Sequence, residues 1–292
     1  RPDALFGMGA LGAPVARKVG RERGVPNVTR LFGTSLGCVM GDPVRYRLRY
    51  REIRAFRTPA DAFIMCDDGS GGDEIARALG VDMSRFHFLP DGVDKERFLL
   101  SPEPAEARVR LGLPKEGRVV LSVSRLHPEK NVATLIEAAP GVLAARRDTT
   151  FVLVGEGPER ERLERLAEEL EVAERVLFTG ALDWNDMPSV YAAADVFVTL
   201  SERTNVLNPL HEAMMSGLAV VALDTGRTGD IIDGRTGVLL QRGGPSQPAG
   251  ARHGLTLALV ELLGDDERRR SLGAAARASA DSRLPTIEER QR

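Results

Sequence analysis

Lysine is scarce in this chain: four lysines stand against 36 arginines in 292 residues. Cysteine is scarcer still, with only Cys38 and Cys66, and neither sits in a CxxC or metal-ligand spacing. That excludes a disulfide framework and a zinc module, and it makes a reducing, cytoplasmic compartment the expectation. Aromatic residues are 5% of the chain. With so few rings to stack bases, and no nucleic-acid module in the sequence, nucleic acid is a poor fit as partner. No apolar run approaches the ~20 residues that span a bilayer. The opening residues carry no signal-peptide pattern. The four histidines, His87, His127, His211 and His253, form no metal-spaced cluster with Cys, Asp or Glu. Neither a metal nor a cofactor is expected.

Charge is present but unevenly placed. The whole chain is −2, yet residues 1–60 hold 12 Lys or Arg against 4 Asp or Glu, a net of +8. Such a region suits an anionic partner: a phospholipid surface, a lipid phosphate or a phosphorylated glycan. The densest run is 44–57, VRYRLRYREIRAFR. On one helix, Arg47, Arg51 and Arg54 would share a face. A solvated helix face is the plainer reading of that run.

Hydrophobic periodicity is clearest after residue 118. Short apolar runs at 119–123, 151–154, 176–178, 196–200, 219–223 and 238–241 predict strands. Amphipathic stretches at 132–145, 159–170, 186–194, 209–216 and 255–263 predict helices. Such alternation means an α/β fold with a parallel sheet covered on both faces, whose ligands bind beyond the carboxyl ends of the strands. Residues 1–100 read as less regular. Strands are expected in VPNVTRLFG, ADAFIMCDD and RFHFLPDGV, with a capped helix in SGGDEIARALGV. The stretch 101–117, rich in Pro, Glu and Gly, reads as a linker with a short helix near 103–111, and 242–254 reads as a flexible loop.

Two segments carry the chemistry. SVSRLHPEKNVATLIEAA, 122–139, places Arg125 and Lys130 in a strand-to-helix loop. NPLHEAMMSGLAVVALDTG, 208–226, places Glu212 in the first turns of a helix, with Asn208 and Pro209 as expected N-cap and N1 residues. Two cations and one carboxylate at strand-to-helix turns suit a nucleoside diphosphate. The cations neutralise phosphates, a helix N-terminus holds their oxygens, and the carboxylate accepts ribose hydroxyls. Helix capping and surface charge are the plain alternative for all three residues.

RLHPEKN resembles the RLxxxKG segment of family 4 retaining glycosyltransferases, and HEAMMSGLAVVALDTG resembles their EAMAxGxPVVAxxxGG segment. LPDGVDKERF is similar to their PNGVDxxxF, and FVLVGEGPERERLERLAEEL to their strand–GxGP–helix unit. The four occur in the family's order over nearly the whole chain from about residue 25. The resemblance implies the GT-B fold, in which two Rossmann-like parallel-sheet domains face each other across a cleft. It implies residues 1–100 as a partial N-terminal acceptor-side domain and 101–117 as linker. Residues 118–275 would be the C-terminal nucleotide-sugar donor domain and 276–292 the start of a crossover helix. The N-domain would then be incomplete, the chain being either trimmed at both ends or naturally short.

The implied activity is retaining transfer of a sugar from a UDP-, GDP- or ADP-linked donor to a hydroxyl of a glycan or lipid-linked acceptor, in envelope or capsule synthesis. The enzyme would work without metal, in the cytoplasm or at the inner face of the plasma membrane. Arg125, Lys130 and Glu212 would be catalytic. Gly155, Glu156, Gly180, Thr204, Asn205, Val206, Leu207 and Asn208 would hold the donor. Two departures stand out. The family's E-x7-E pattern puts a carboxylate eight residues before Glu212, where this chain has Thr204. Phe32 occupies the position of an acceptor-side histidine. They keep two alternatives open: a degenerate GT-B nucleotide-binding protein without turnover, and a nucleotide-sugar epimerase.

Overall fold

The computed structural model describes residues 2–242, 248–286 and 289, with the backbone alone at 248 and 249. It divides into two compact units, Arg1–Asp91 and Gly92–Arg292.

The first unit alternates strands and helices: β1 (Leu5–Met8), α1 (Gly9–Arg23), β2 (Asn27–Leu31), α2 (Pro43–Leu48), α3 (Tyr50–Phe56), β3 (Ala62–Asp67), α4 (Gly72–Ala78) and β4 (Phe86–Pro90). Its four strands pair in parallel in plain sequence order, β1-β2-β3-β4. Strand alternation puts Gly7, Thr29, Leu31, Phe63 and Met65 on one buried face. There they join Ala13, Ala55, Phe56, Ile75 and Ala76 from the helices in a single core. The opposite face is thinly covered, with Phe6 61% and Met8 57% exposed at the β1 edge.

Three readings of this unit are corrected. A strand and a glycine turn already open the described chain at 5–9, so the first thirty residues are regular. The arginine-rich run 44–57 is two helices, because Arg49 leaves helical geometry at φ −91° and ψ 21°. Arg47 therefore does not share one helix face with Arg51 and Arg54. Helix α4 has no side-chain cap; Gly71, at φ 73°, starts it instead.

The second unit holds α5 (Lys95–Leu99), α6 (Pro104–Arg110), β5 (Arg118–Val123), α7 (Val132–Ala145), β6 (Thr149–Val154), α8 (Arg160–Glu169), β7 (Val176–Gly180) and α9 (Met187–Ala192). It continues with β8 (Val196–Thr199), α10 (Asn208–Met215), β9 (Ala219–Leu223), β10 (Gly237–Leu240), α11 (Pro248–Gly264) and α12 (Asp266–Arg283). Six parallel strands run in the order β10-β9-β8-β5-β6-β7. The chain thus starts in the middle at β5, builds outward to β7, and returns to build the other half from β8. The β5/β8 pair is where strand order reverses.

Both faces of this sheet are dry. Val120, Phe151, Leu153, Val196, Val198 and Val221 pack with α7, α8 and α11 in one core. The alternate residues Val119, Leu121, Val152, Phe197 and Val220 pack with α9, α10 and α12 in the other. That is why the strands read as continuous apolar runs. Helix α11 begins at Pro248, so 248–254 is helical where a loop was expected, and 243–247 lies outside the described residues. Helix α12 runs unbroken through 275–276. Among the described residues, no helix is long and apolar enough to cross a membrane.

At the amino-terminal end of β5 and β8, Asp195 gathers three arginines. Its carboxylate lies 2.8 Å from Arg108, 3.4 Å from Arg118 and 3.4 Å from Arg269. It also accepts the Val119 N–H at 2.8 Å. Arg108 further donates to the Ala193, Lys115 and Gly117 carbonyls, which fastens α6 and the chain after it to the sheet.

Candidate functional site

Open parallel sheets hold ligands outside the carboxyl ends of their strands, where the order reverses. Here that place is the pair of loops after β5 and β8, the two segments that carry Arg125 with Lys130 and Thr204 with Asn208. The Glu202 N–H donates to the Glu129 carbonyl at 2.9 Å and so stitches the loops together. The Glu129 carboxylate holds Arg125 at 3.3 Å on one oxygen and Arg203 at 3.3 Å on the other. Neither Glu129 nor Arg203 was singled out in the sequence, because a charge in a loop has no periodicity to mark it.

Lys130 closes a short 3-10 turn, its N–H donating to the His127 carbonyl at 2.8 Å. Asn131 follows in the left-handed region at φ 53°. The family segment has glycine here; asparagine is the side chain that best tolerates this conformation. The Asn131 Oδ1 accepts from Thr134 Oγ1 at 2.9 Å and so steadies the first turn of α7.

Gly155 and Gly157 sit beneath this loop. A Cβ on Gly155 would lie 1.9 Å from the Ser124 carbonyl oxygen, and one on Gly157 would lie 2.2 Å from that of Leu126. Only glycine permits such close backbone approach. Leu126 N–H donates to the Glu156 carbonyl at 2.9 Å, and Glu159 N–H returns to the Leu126 carbonyl at 3.1 Å. The Gly155 N–H reaches the Gly180 carbonyl at 2.9 Å. The Glu156 carboxylate is taken by Arg160 at 2.5 Å. This glycine turn is a fitted support for the Arg125 loop.

After β8 the turn is built by side chains. Asn205, 1% exposed, uses Oδ1 to accept from the Ser201 N–H at 2.8 Å and from Thr199 Oγ1 at 2.9 Å. Its Nδ2 donates to the Leu223 carbonyl at 2.7 Å, Thr225 Oγ1 at 3.0 Å and the Ser201 carbonyl at 3.3 Å. Thr204 is buried, and its Oγ1 accepts the Val206 N–H at 3.1 Å. The Leu207 N–H donates to the Asn205 carbonyl at 2.9 Å. The Val206 and Leu207 donors are thus engaged within the turn. Asn208 is not the N-cap. Leu207 is, in extended geometry, and Asn208 and Pro209 are the first two helical residues. Proline is tolerated at the second helical position because N–H groups of the first turn have no intrahelical partner to lose.

Glu212 lies on the second turn of α10 and is held from α9. Tyr191 Oη donates to its Oε2 at 2.8 Å. Burial raises the Glu212 carboxyl above the usual range, while the Tyr191 hydrogen bond and the Arg97 charge work the other way. Tyr191 is pushed well up by its own burial and by Glu212. Arg97 comes from the PDGVDKERF segment. Its guanidinium carbon lies 3.5 Å from the Trp184 ring centroid, and Nη2 donates to the Trp184 carbonyl at 2.9 Å and Asn185 Oδ1 at 3.0 Å. The 184–185 stretch is therefore an arginine seat.

The chain matches the family model described as Glycosyl transferases group 1 over residues 104–279. It is 34% identical over 280 residues to the GDP-mannose-dependent alpha-(1-6)-phosphatidylinositol monomannoside mannosyltransferase of Mycolicibacterium smegmatis, covering 92% of this chain and 68% of that one. This chain belongs to the group 1 glycosyltransferases. The GDP-mannose-dependent monoacylated phosphatidylinositol monomannoside mannosyltransferase of Corynebacterium glutamicum is 35% identical over 207 residues, 68% of this chain and 52% of that relative. The chain spans about half the length of that relative. Among solved structures, HepE from Anabaena with UDP-glucose superposes at TM-score 0.81 with 21% identity, covering 99% of this chain and 76% of that one. Sucrose-phosphate synthase from Thermosynechococcus elongatus gives 0.77 with 23% identity, covering 97% and 70%. At those identities the likeness is one of fold. Two all-parallel α/β units with such neighbours give this group 1 member the GT-B fold.

Proposed function

We propose that this chain binds a nucleotide sugar in its second unit and serves a glycosyltransferase that moves the sugar to a hydroxyl of a glycolipid acceptor, with retention of configuration. One observation carries the reading. The Arg125–Lys130 loop and the 201–208 turn meet at the strand-order reversal, joined by the Glu202–Glu129 backbone bond. Arg125 and Lys130 hold the diphosphate, and Glu212 accepts the ribose hydroxyls. Gly155, Glu156 and Gly180 support the pocket floor. In the transfer, the bond from the anomeric carbon to the diphosphate oxygen breaks. The acceptor oxygen bonds to that carbon on the same face, and its proton passes to the departing diphosphate. Cations fixed beside the diphosphate stabilise its growing charge, so no strong base is needed.

The names of the mycobacterial and corynebacterial relatives make GDP-mannose the first donor to test and a phosphatidylinositol mannoside the first acceptor class. A glycolipid acceptor fits work at the inner membrane face. The groove between α1 and α3, lined by Leu11, Val15, Lys18, Tyr50, Arg51 and Arg54, suits an anionic lipid surface.

A second reading, a nucleotide binder without turnover, is favoured by Thr204, whose hydroxyl serves the turn where the family has a sugar-facing carboxylate. Incubation with GDP-mannose, UDP-glucose and ADP-glucose, each with and without a phosphoinositide acceptor, separates the two. The transferase reading expects acceptor-dependent release of GDP. A chain that binds GDP but releases none, and binds the sugar nucleotide less than about tenfold (~1.4 kcal/mol) more tightly than GDP, is the binder.

A further inference from the structure

Glu212 accepts a hydrogen bond from one side chain outside its own motif and lies in the field of a second. Tyr191 has no solvent exposure, and its ring packs edge-on to Phe98, with centroids 5.7 Å apart, and against Phe197 at 6.0 Å. A ring so confined aims its hydroxyl in one direction. That direction is Glu212 Oε2, at 2.8 Å, with the Pro209 carbonyl at 3.3 Å. Arg97 is equally fixed, by the Trp184 ring, the Trp184 carbonyl and Asn185 Oδ1. It presents a positive charge to the same carboxylate. A second cation against α10, Arg277, spends its Nε on the Met215 carbonyl at the far end of the helix, at 2.8 Å.

We propose that Tyr191 and Arg97 are positioning residues for Glu212, fixing one carboxylate oxygen and keeping the group ionised so that it can accept the ribose hydroxyls. The proposal rests on the reading of Glu212 as the ribose carboxylate. Burial alone favours the protonated acid, which would present a donor where acceptors are required. A hydrogen bond to the ionised form and a nearby fixed cation both oppose that. Tyr191 and Arg97 supply one each, from α9 and α5.

The test compares GDP with 2′,3′-dideoxy-GDP, which lacks both ribose hydroxyls, by calorimetry between pH 5 and 8. Phosphate protonation affects both ligands alike and cancels in the ratio of dissociation constants. In the parent chain the ratio should be about tenfold or more at the upper end, the scale of a charge-assisted hydrogen bond. It should fall toward one as Glu212 takes up a proton. In Tyr191→Phe and in Arg97→Gln the fall should begin at higher pH, and Arg97→Lys should return it toward the parent position. A merely structural role would lower thermal stability and leave this pH position where it was. Arg97, on the surface side of the pair, gives the second variant should Tyr191→Phe fold poorly. If both variants keep the parent pH position, the positioning role is overturned. If Glu212→Gln keeps the parent ratio at every pH, the ribose reading itself falls, and the proposal with it.

Discussion

The two parallel sheets of this chain are built from the same strand–helix grammar, yet only one reverses its strand order. In the first unit, β1 to β4 lie in sequence order, so successive connections run the same way along the sheet. In the second, the chain reverses between β5 and β8; the loops leaving those two strands meet, and the helices that follow them, α7 and α10, pack on opposite faces. The stitching follows. Backbone bonds run from Gly155 to Gly180, from Leu126 to Glu156, from Glu202 to Glu129 and from Asp224 to Leu240. The first unit instead concentrates positive charge and exposed apolar side chains on its helices. The proposed function assigns the diphosphate to the strand-order reversal and surface attraction to the helices of the other unit.

That contrast can be broken in graded steps. The largest effect is expected from Asp195→Ala. It leaves Arg108 and Arg269 buried without their shared carboxylate. Losing one partner of a buried ion cluster costs about 3–5 kcal/mol. Heat or urea unfolding should show this loss in the second unit, while spectroscopic signals from the first unit change less.

Next comes Asn205→Ala, which strands the Ser201 N–H and the Leu223 carbonyl. Each buried unsatisfied group costs about 1–3 kcal/mol. Urea unfolding should register that loss, and GDP titration should show weakened binding because the 201–208 turn loosens. Unchanged GDP affinity would separate the turn from the site.

Glu212→Gln should act through pH. Because burial raises the Glu212 carboxyl in the folded state, folding makes it harder to ionise than it is in the unfolded chain. The stability it contributes is present below the ordinary carboxylate range and is lost as pH rises through the raised value. Relative to Glu212→Gln, the parent chain should therefore lose stability across that rise, and a melting series from pH 4 to 8 would reveal it. Parallel melting curves for the two would contradict the shift.

The smallest effect belongs to the first unit. Replacing Arg51 and Arg54 by Ala should weaken binding to phosphatidylserine or phosphatidylinositol vesicles by about 1 kcal/mol per residue. GDP affinity should not change. A loss of GDP affinity instead would undo the division of labour between the units.

Much of the second unit was legible because both sheet faces are buried. The runs 119–123 and 219–223 and the helix 132–145 could be read to within a residue of their observed limits. The first unit was harder. β1 is four residues, LFGM, with two of its side chains exposed, so neither apolar continuity nor alternation marked it. The arginine run hid a helix break, because arginine is equally at home on either side of one. In the site, Arg125, Lys130 and Glu212 stood out as charges at strand ends. Tyr191 and Arg97 did not, because each acts on Glu212 from a separate helix, and Glu129 did not, because the arginine it holds besides Arg125 comes from the other loop. Asn205 was read for its backbone, whereas its side chain does the joining.

The most direct test of the account is calorimetric titration of GDP into the parent chain and into Lys130→Ala. If the loop after β5 and the turn after β8 form one diphosphate site, the substitution should weaken binding by roughly 1.5–3 kcal/mol, about ten- to a hundredfold in dissociation constant. A dissociation constant unchanged by Lys130→Ala would place the diphosphate elsewhere and contradict the assignment.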